Sequence, residues 1–390
     1  MRILLVNYTE TLEPGGINKV VREIAYHASM RGHQVVVFNP ARTKAEEHKV
    51  TAINSNCKII RGYKGYIFGL NLRNISLLVK IIRQFSPHIV HVHEYHSLFP
   101  TVTIIALKEI YKIKTPIVFS PHLDIERSSS AGRYLWKLYN STIGKKLFDL
   151  SDYIIVHSRY EYKVVKYTFN VKEEKLFIIP HGVDTIETNR EKSVKNNDEI
   201  TLLYVGALIR RKGVDYVIET LHKLVHDFGL QRIKLKIVGT GPEKAKLMRL
   251  AKKLNVYDKI EWIANLPYPK LIETIKNSHI LLLLSRSEAY GIIVTEALAL
   301  GIPVIVTKRT ALREFLVEPG CYGVDYPPEP EKVASTVINV INNYNDKIVK
   351  PIKIKRWSEV IDNYLKIYVK VFKEFLNKLH SIMNMPIRSL

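Results

Sequence analysis

Short apolar runs alternate with stretches whose apolar positions recur at helical spacing along almost all of the 390-residue chain. A continuous apolar run of strand length suits a strand covered on both faces, whereas a 3.6-residue period suits a helix lying on a sheet. The pattern predicts strands at Ile3–Val6, Gln34–Phe38, Ile89–Val92, Ile117–Ser120, Tyr153–His157 and Phe177–Ile179, with helices such as Ile17–Arg31 and Leu72–Phe85 between them. The polar stretch Glu187–Glu199, which contains several Lys and Asn, then breaks the alternation and reads as a linker or surface loop. A second alternation follows, with strands predicted at Ile200–Val205, Lys234–Val238, Ile260–Trp262, His279–Leu284 and Val304–Val306. A long helical pattern, Trp357–His380, closes the chain with no strand after it. Strand–helix alternation in two halves predicts two doubly wound, Rossmann-like α/β domains with parallel sheets. Their expected bounds are residues 1–186 and 200–356, with 187–199 as linker and 357–390 as the closing helix.

Length and composition agree with this picture. A chain of this size accommodates two α/β cores, and 46% hydrophobic residues with a mean hydropathy of -0.04 are ordinary for a globular protein. No apolar run approaches the ~18 residues of a spanning helix. The N-terminal Met1–Asn7 is too short for the apolar part of a signal peptide and reads as a first strand. Cys57 and Cys321 are the only cysteines, which argues against a disulfide framework or a thiolate metal site and fits a cytoplasmic compartment. The charge balance is less ordinary. Fifty-nine basic against 37 acidic residues leave a net charge of +22 without a basic run, so a positive field is spread over folded surface. Such a field attracts phosphorylated substrates, acidic lipid headgroups or nucleic acid.

Candidate chemistry is densest in Leu281–Pro303. The segment reads as a buried strand, a polar loop, Gly291, a helix, Gly301, then Pro303 leading into another buried strand. In a doubly wound sheet this loop lies at the carboxyl end of its strand, where ligands bind. Gly291 permits close backbone approach, and the free N–H groups of the helix start at Ile292 and Ile293 can cradle a diphosphate. Glu296, about a turn into the helix, can accept two hydrogen bonds from a vicinal diol such as a ribose, and Glu288 can do the same for a sugar beyond the phosphates.

Glu288 and Glu296, followed by Ala-Leu-Ala-Leu-Gly-Ile-Pro-Val-Ile, resemble the signature of the retaining GT-B glycosyltransferases of family 4. The resemblance implies two facing Rossmann-like domains, a nucleotide-sugar held mainly by the C-terminal one, Glu288 on the donor sugar and Glu296 on the ribose. Tyr204–Gly213 resembles the loop that supplies that family's phosphate-binding cations. Gly206 and Lys212 match its pattern; Ala207 stands where an arginine is common, so either Arg210 or Arg211 compensates or the donor hydroxyls are held differently. Gly239 and Gly241 lie in a further strand-to-helix turn that is not a GxGxxG fingerprint, and similar turns line the nucleotide in the family. Gly15 and Gly16 match its paired glycines near the donor phosphates and the acceptor, although two glycines there are also good turn chemistry. Ser120-Pro121-His122 resembles its histidine at the interdomain cleft, which implies a catalytic contact of His122 with the transferring sugar. Ile179–Asp184 resembles its hinge approach, and Trp357-Ser358-Glu359 with Tyr364 and Tyr368 looks like the helix that crosses back to the first domain.

On a strand His91 and His93 share a face, the beginning of a metal-ligand pair near His88 and His96. The same stretch also resembles a routine strand of the family, whose members of this kind need no bound metal. The expectation is therefore a metal-independent hexosyl transfer with retention, insensitive to chelators, using a nucleotide-diphosphate sugar as co-substrate and no other cofactor. The acceptor would be a glycan, a lipid-linked molecule or a small molecule. Alternatives are a GT-B phosphorylase, a nucleotide-sugar epimerase, or a non-catalytic basic module for nucleotides or nucleic acid; the last explains the charge and not the motif set. Ala131–Leu150 and Tyr364–Leu379 mix basic and aromatic residues, so peripheral contact with an anionic membrane is a further expectation set against simple packing of amphipathic helices.

Overall fold

The computed structural model describes residues 1–9, 11–12, 15–65, 71–124, 136–186, 199–343 and 351–383. The chain forms two compact units, Met1–His181 together with Trp357–Leu390, and Gly182–Arg356.

The first unit is built on eight strands: β1 Arg2–Val6, β2 Gln34–Ala41, β3 Val50–Asn54, β4 Cys57–Lys64, β5 Ile89–His93, β6 Ile117–Ser120, β7 Tyr153–Val156 and β8 Leu176–Ile178. Their order is β3-β4-β2-β1-β5-β6-β7-β8, parallel except for β3 against β4. The central strands are covered on both faces, as their unbroken apolar sequences require; Ile3 to Val6, Val90 and Phe119 are fully buried. The β3–β4 hairpin was not predicted. Its outer strand is half exposed and carries polar Thr51 and Asn54 among only five residues, so it lacks the continuous apolar run that marks the inner strands.

The closing helix Trp357–Met383 belongs to this unit and packs on the helix Gly16–Met30. Arg31 pairs with Asp362 at 2.8 Å, and Trp357, Tyr364 and Tyr368 are buried. Each such ring contributes on the order of 2 kcal/mol by leaving water. Packing thus accounts for the aromatic spacing along Tyr364–Leu379. Residues 131–135 of the other basic-aromatic stretch lie outside the described residues, and its Trp136 stacks on Tyr139 and His96. Among the described residues no helix is long and apolar enough to cross a membrane.

The second unit carries β9 Ile200–Val205, β10 Ile233–Val238, β11 Ile260–Ile263, β12 Ile280–Leu283, β13 Val304–Thr307 and β14 Cys321–Val324. They are all parallel in the order β11-β10-β9-β12-β13-β14. The short, half-buried β14 was missing from the sequence reading for the same reason as β3. This unit begins at Gly182 rather than at residue 200. The Val183 N–H donates to the Lys355 carbonyl at 3.0 Å, tying the incoming segment to the outgoing one before the closing helix. Residues 187–198 of the expected linker lie outside the described residues. The sheet order reverses between β9 and β12, and the crevice at the carboxyl ends of two such strands is where open α/β sheets bind ligands.

Candidate active site

The loops that follow β9 and β12 meet at that reversal. Lys212 Nζ sits against Glu288 Oε1, and Ser285 Oγ donates to the same oxygen at 2.8 Å. Arg211 donates through Nη1 to the Ser287 carbonyl at 3.1 Å, while its own carbonyl accepts from the Arg286 N–H at 2.8 Å. Thr310 Oγ1 accepts from the Glu288 N–H, and Thr307 Oγ1 donates to the Ser285 carbonyl. Burial alone would push the Glu288 carboxyl up. The Lys212 ammonium and Arg211 guanidinium outweigh it, so Glu288 lies below its ordinary pKa and is an anion at neutral pH. The pair is largely buried, with side-chain exposures of 16% and 10%.

Arg210 and Arg211 thus differ. Arg211 holds the loop around Ser287, whereas Arg210 is exposed. Ala207 is exposed, and its carbonyl accepts from the buried Tyr204 hydroxyl at 3.0 Å.

The two glycine turns after β9 and β10 are laced together. The Gly206 N–H donates to the Val238 carbonyl and the Leu208 N–H to the Thr240 carbonyl. A Cβ on Gly239 would lie 1.9 Å from the Gly206 carbonyl oxygen, and one on Gly241 would lie 2.3 Å from that of Leu208. The glycines are required first by the contact of backbone with backbone.

Gly291 has φ 118° and precedes the helix Ile292–Ala299, whose first turn receives no side-chain cap. Its carbonyl accepts from Val294 and Thr295; the N–H groups of Ile292 and Ile293 belong to the turn where an anion is favoured. Glu296 is buried on this helix beside the Tyr268 hydroxyl, which donates its one proton to Asp184. Burial and then the Glu296 carboxylate push the Tyr268 hydroxyl above its usual range, so it stays a donor. The sequence reading missed Tyr268 and gave Asp184 only a turn role. A tyrosine opening a helix carries no motif, and its partners lie far along the chain.

His122, Gly15 and Gly16 belong to the first unit. Gly15 caps and Gly16 opens the helix Gly16–Met30, and a Cβ on Gly15 would meet the Asn18 amide at 3.1 Å. His122, at φ 50°, follows β6 and contacts His93 through Nε2 at 3.2 Å from His93 Nδ1. His91 lies between the Tyr368 hydroxyl, 2.7 Å away, and Ser120 Oγ, 2.9 Å away. His88 instead meets the Arg2 N–H and Phe372, and His96 is exposed against Trp136. His157 and His181, which the sequence reading did not single out, stack beside His122 with centroids 4.5 and 5.8 Å from it. Burial, and for most of them the neighbouring imidazoles, hold these rings below the usual histidine pKa, His157 down to about 4.

Parallel sheets with glycine turns and a carboxylate-bearing helix start at the strand reversal define a GT-B glycosyltransferase. Two family models divide the chain: Glycosyltransferase Family 4 matches residues 14–187 and Glycosyl transferases group 1 matches residues 185–356. The protein is accordingly a glycosyltransferase of the GT4 type. It is 22% identical over 386 residues to a phosphatidylinositol N-acetylglucosaminyltransferase subunit of Arabidopsis thaliana, covering 96% of this chain and 83% of that one. It is 26% identical over 336 residues to the Escherichia coli O-antigen biosynthesis glycosyltransferase WclY, covering 82% and 88%. Among solved structures, the sucrose-phosphate synthase of Thermosynechococcus elongatus has the same fold, with a TM-score of 0.75 at 14% identity over 99% of this chain and 100% of that one.

Proposed function

We propose that this glycosyltransferase moves a hexosyl group from a nucleoside-diphosphate sugar to a glycan, lipid-linked or small-molecule acceptor with retention of anomeric configuration. The observation that carries the reading is the Lys212–Glu288 pair with Ser285, beside a helix start open to an anion. In this reading Glu296 accepts from the ribose, and Glu288 accepts from hydroxyls of the transferring sugar. Gly206, Gly239 and Gly241 shape the floor under the nucleotide, and Gly15 and Gly16 serve the phosphates from the first unit. The bond between the anomeric carbon and the phosphate oxygen breaks as the acceptor oxygen attacks the same face. The acceptor proton passes to a phosphate oxygen, so no separate base is needed. Lys212, exposed Arg210 and the N–H groups of Ile292 and Ile293 stabilise the departing diphosphate, which makes Mg²⁺ or Mn²⁺ dispensable at that position. His122 contacts the transferring sugar.

Both curated relatives build glycoconjugates by name, and the net charge of +22 suits an acceptor carried on an anionic surface. A panel of nucleotide-sugars read by protection against thermal unfolding tests the donor assignment. One nucleoside-diphosphate sugar raises the melting temperature, and Glu296→Ala abolishes the rise. No protection by any member, or strict dependence of transfer on added Mg²⁺ or Mn²⁺, overturns the reading. Product analysis separates transfer from phosphorolysis or epimerisation. Binding to anionic liposomes at low salt tests the membrane-borne acceptor.

A further inference from the structure

Three imidazoles converge in the first unit from the carboxyl ends of three neighbouring strands. His122 follows β6, His157 follows β7 and His181 follows β8. One ring nitrogen of each lies within 4.8 Å of the others. All three histidines are buried at the cluster.

The protonation of His157 follows from its partner. Its Nδ1 lies 3.0 Å from the Ile179 carbonyl oxygen, which can only accept, so the proton is on Nδ1 and the lone pair on Nε2. That Nε2 is buried with no hydrogen-bond partner. A buried acceptor without a donor costs on the order of 1–3 kcal/mol, and a carbonyl fixing the far nitrogen of an imidazole is the usual arrangement behind a metal ligand. The surrounding structure is also set in advance. The buried Glu161 carboxyl accepts from the Leu123 N–H at 2.6 Å and from the His157 N–H at 2.8 Å, pinning the chain beside two of the three histidines. The Ile179 N–H donates to the Val156 carbonyl at 2.8 Å, which holds the third strand end against the second. Around the cluster Asp124 brings negative charge and Lys19 positive charge, while burial pushes the Glu161 carboxyl up to about 8 and keeps it mostly neutral at pH 7.

We propose that His122, His157 and His181 bind one divalent ion of the zinc class. Neutral imidazoles without thiolates or clustered carboxylates select zinc, cobalt, nickel or copper over magnesium and calcium. Zn–N bonds of about 2.0–2.1 Å place ligand nitrogens about 3.3 Å apart in a tetrahedral site. Binding therefore draws the rings together by side-chain rotation and leaves a fourth position for water or a substrate oxygen. The ion ties three strand ends of the first unit. His122 is shared with the proposed sugar contact, and to that extent the site rests on that reading; His157 and His181 take no part in it, so the proposal goes beyond the transfer reaction.

The test uses the full untagged chain, stripped with a chelator, incubated with Zn²⁺ and freed of excess metal by desalting. Elemental analysis is expected to find about one zinc per chain, with a melting temperature that rises with Zn²⁺ and falls back with chelator. A His157→Gln, His181→Asn double variant retains none, whereas His96→Ala retains the full amount. Zinc-free wild-type chain after desalting, or equal retention in the double variant, overturns the proposal. Should the double variant fail to fold, Co²⁺ added to the wild-type chain decides. Visible d–d absorption of tetrahedral cobalt that Zn²⁺ bleaches supports the site, and its absence overturns it. Nucleotide-sugar protection is measured separately, so loss of one result leaves the other standing.

Discussion

Lys212 and Glu288, 76 residues apart in sequence, form one ion pair at the carboxyl ends of β9 and β12. Neither side chain is open to solvent enough for water to replace its partner. Breaking a buried pair from one side leaves an uncompensated charge, which costs about 3 kcal/mol. Lys212→Ala is thus expected to lower the melting temperature and to weaken donor binding, read by calorimetric titration. Glu288→Ala is expected to slow transfer mainly through kcat. Unchanged stability and turnover in both would remove the pair from the site.

The Tyr268 hydroxyl donates to Asp184 and lies beside the Glu296 carboxylate. Tyr268→Phe removes it without changing the ring and costs about 1 kcal/mol of orientation at Glu296, a roughly fivefold rise in the KM for donor. A donor KM equal to wild type would show that Glu296 needs no such support.

The contact between the β9 and β10 turns leaves no room for a side chain. Gly239→Ala places a methyl 1.9 Å from the Gly206 carbonyl oxygen, which no rotamer change relieves. The expected loss is about 2–4 kcal/mol with reduced soluble yield. Gly229→Ala is the control, since nothing lies within 4 Å of its added Cβ and only its positive φ is strained. Equal melting temperatures for the two variants would refute the close-contact account.

Glu94, at φ 78° just past β5, has its carboxyl pushed up to about 7 by burial, and Oε2 has no hydrogen-bond partner. A folded pKa above the unfolded value means that folding favours the protonated form. The contribution is complete below pH 4.5 and is lost as pH rises through about 7. Its size is about 1–2 kcal/mol once the partial exposure of the residue is allowed for. Glu94→Gln, always neutral, should flatten the decline in melting temperature between pH 5 and 8. An identical slope would place the titration elsewhere.

Legibility followed local encoding. Central strands such as β1 and β12 are buried on both faces, so their sequences are apolar runs and stand out. The β3–β4 hairpin and β14 are half exposed, and their alternation is too brief to separate from loop. Glu288, Gly291 and Glu296 were readable because strand, loop and helix start follow each other within one short segment. The role of Arg211 was not: guanidinium and Ser287 carbonyl meet only when two loops are folded side by side.

Periodicity and turn chemistry were sufficient for two parallel α/β units and for the strand–loop–helix segment that carries Glu288 and Glu296, because both depend on residues close in the chain. Tertiary structure alone decided that Lys212 neutralises Glu288, that Tyr268 reaches Glu296, and that His122, His157 and His181 share one buried space. Those relationships join residues from different strand ends, and strand order, which brings the ends together, is not written in any local pattern. Burial then sets their chemistry, holding one carboxylate ionised beside its lysine and leaving one imidazole lone pair without a donor.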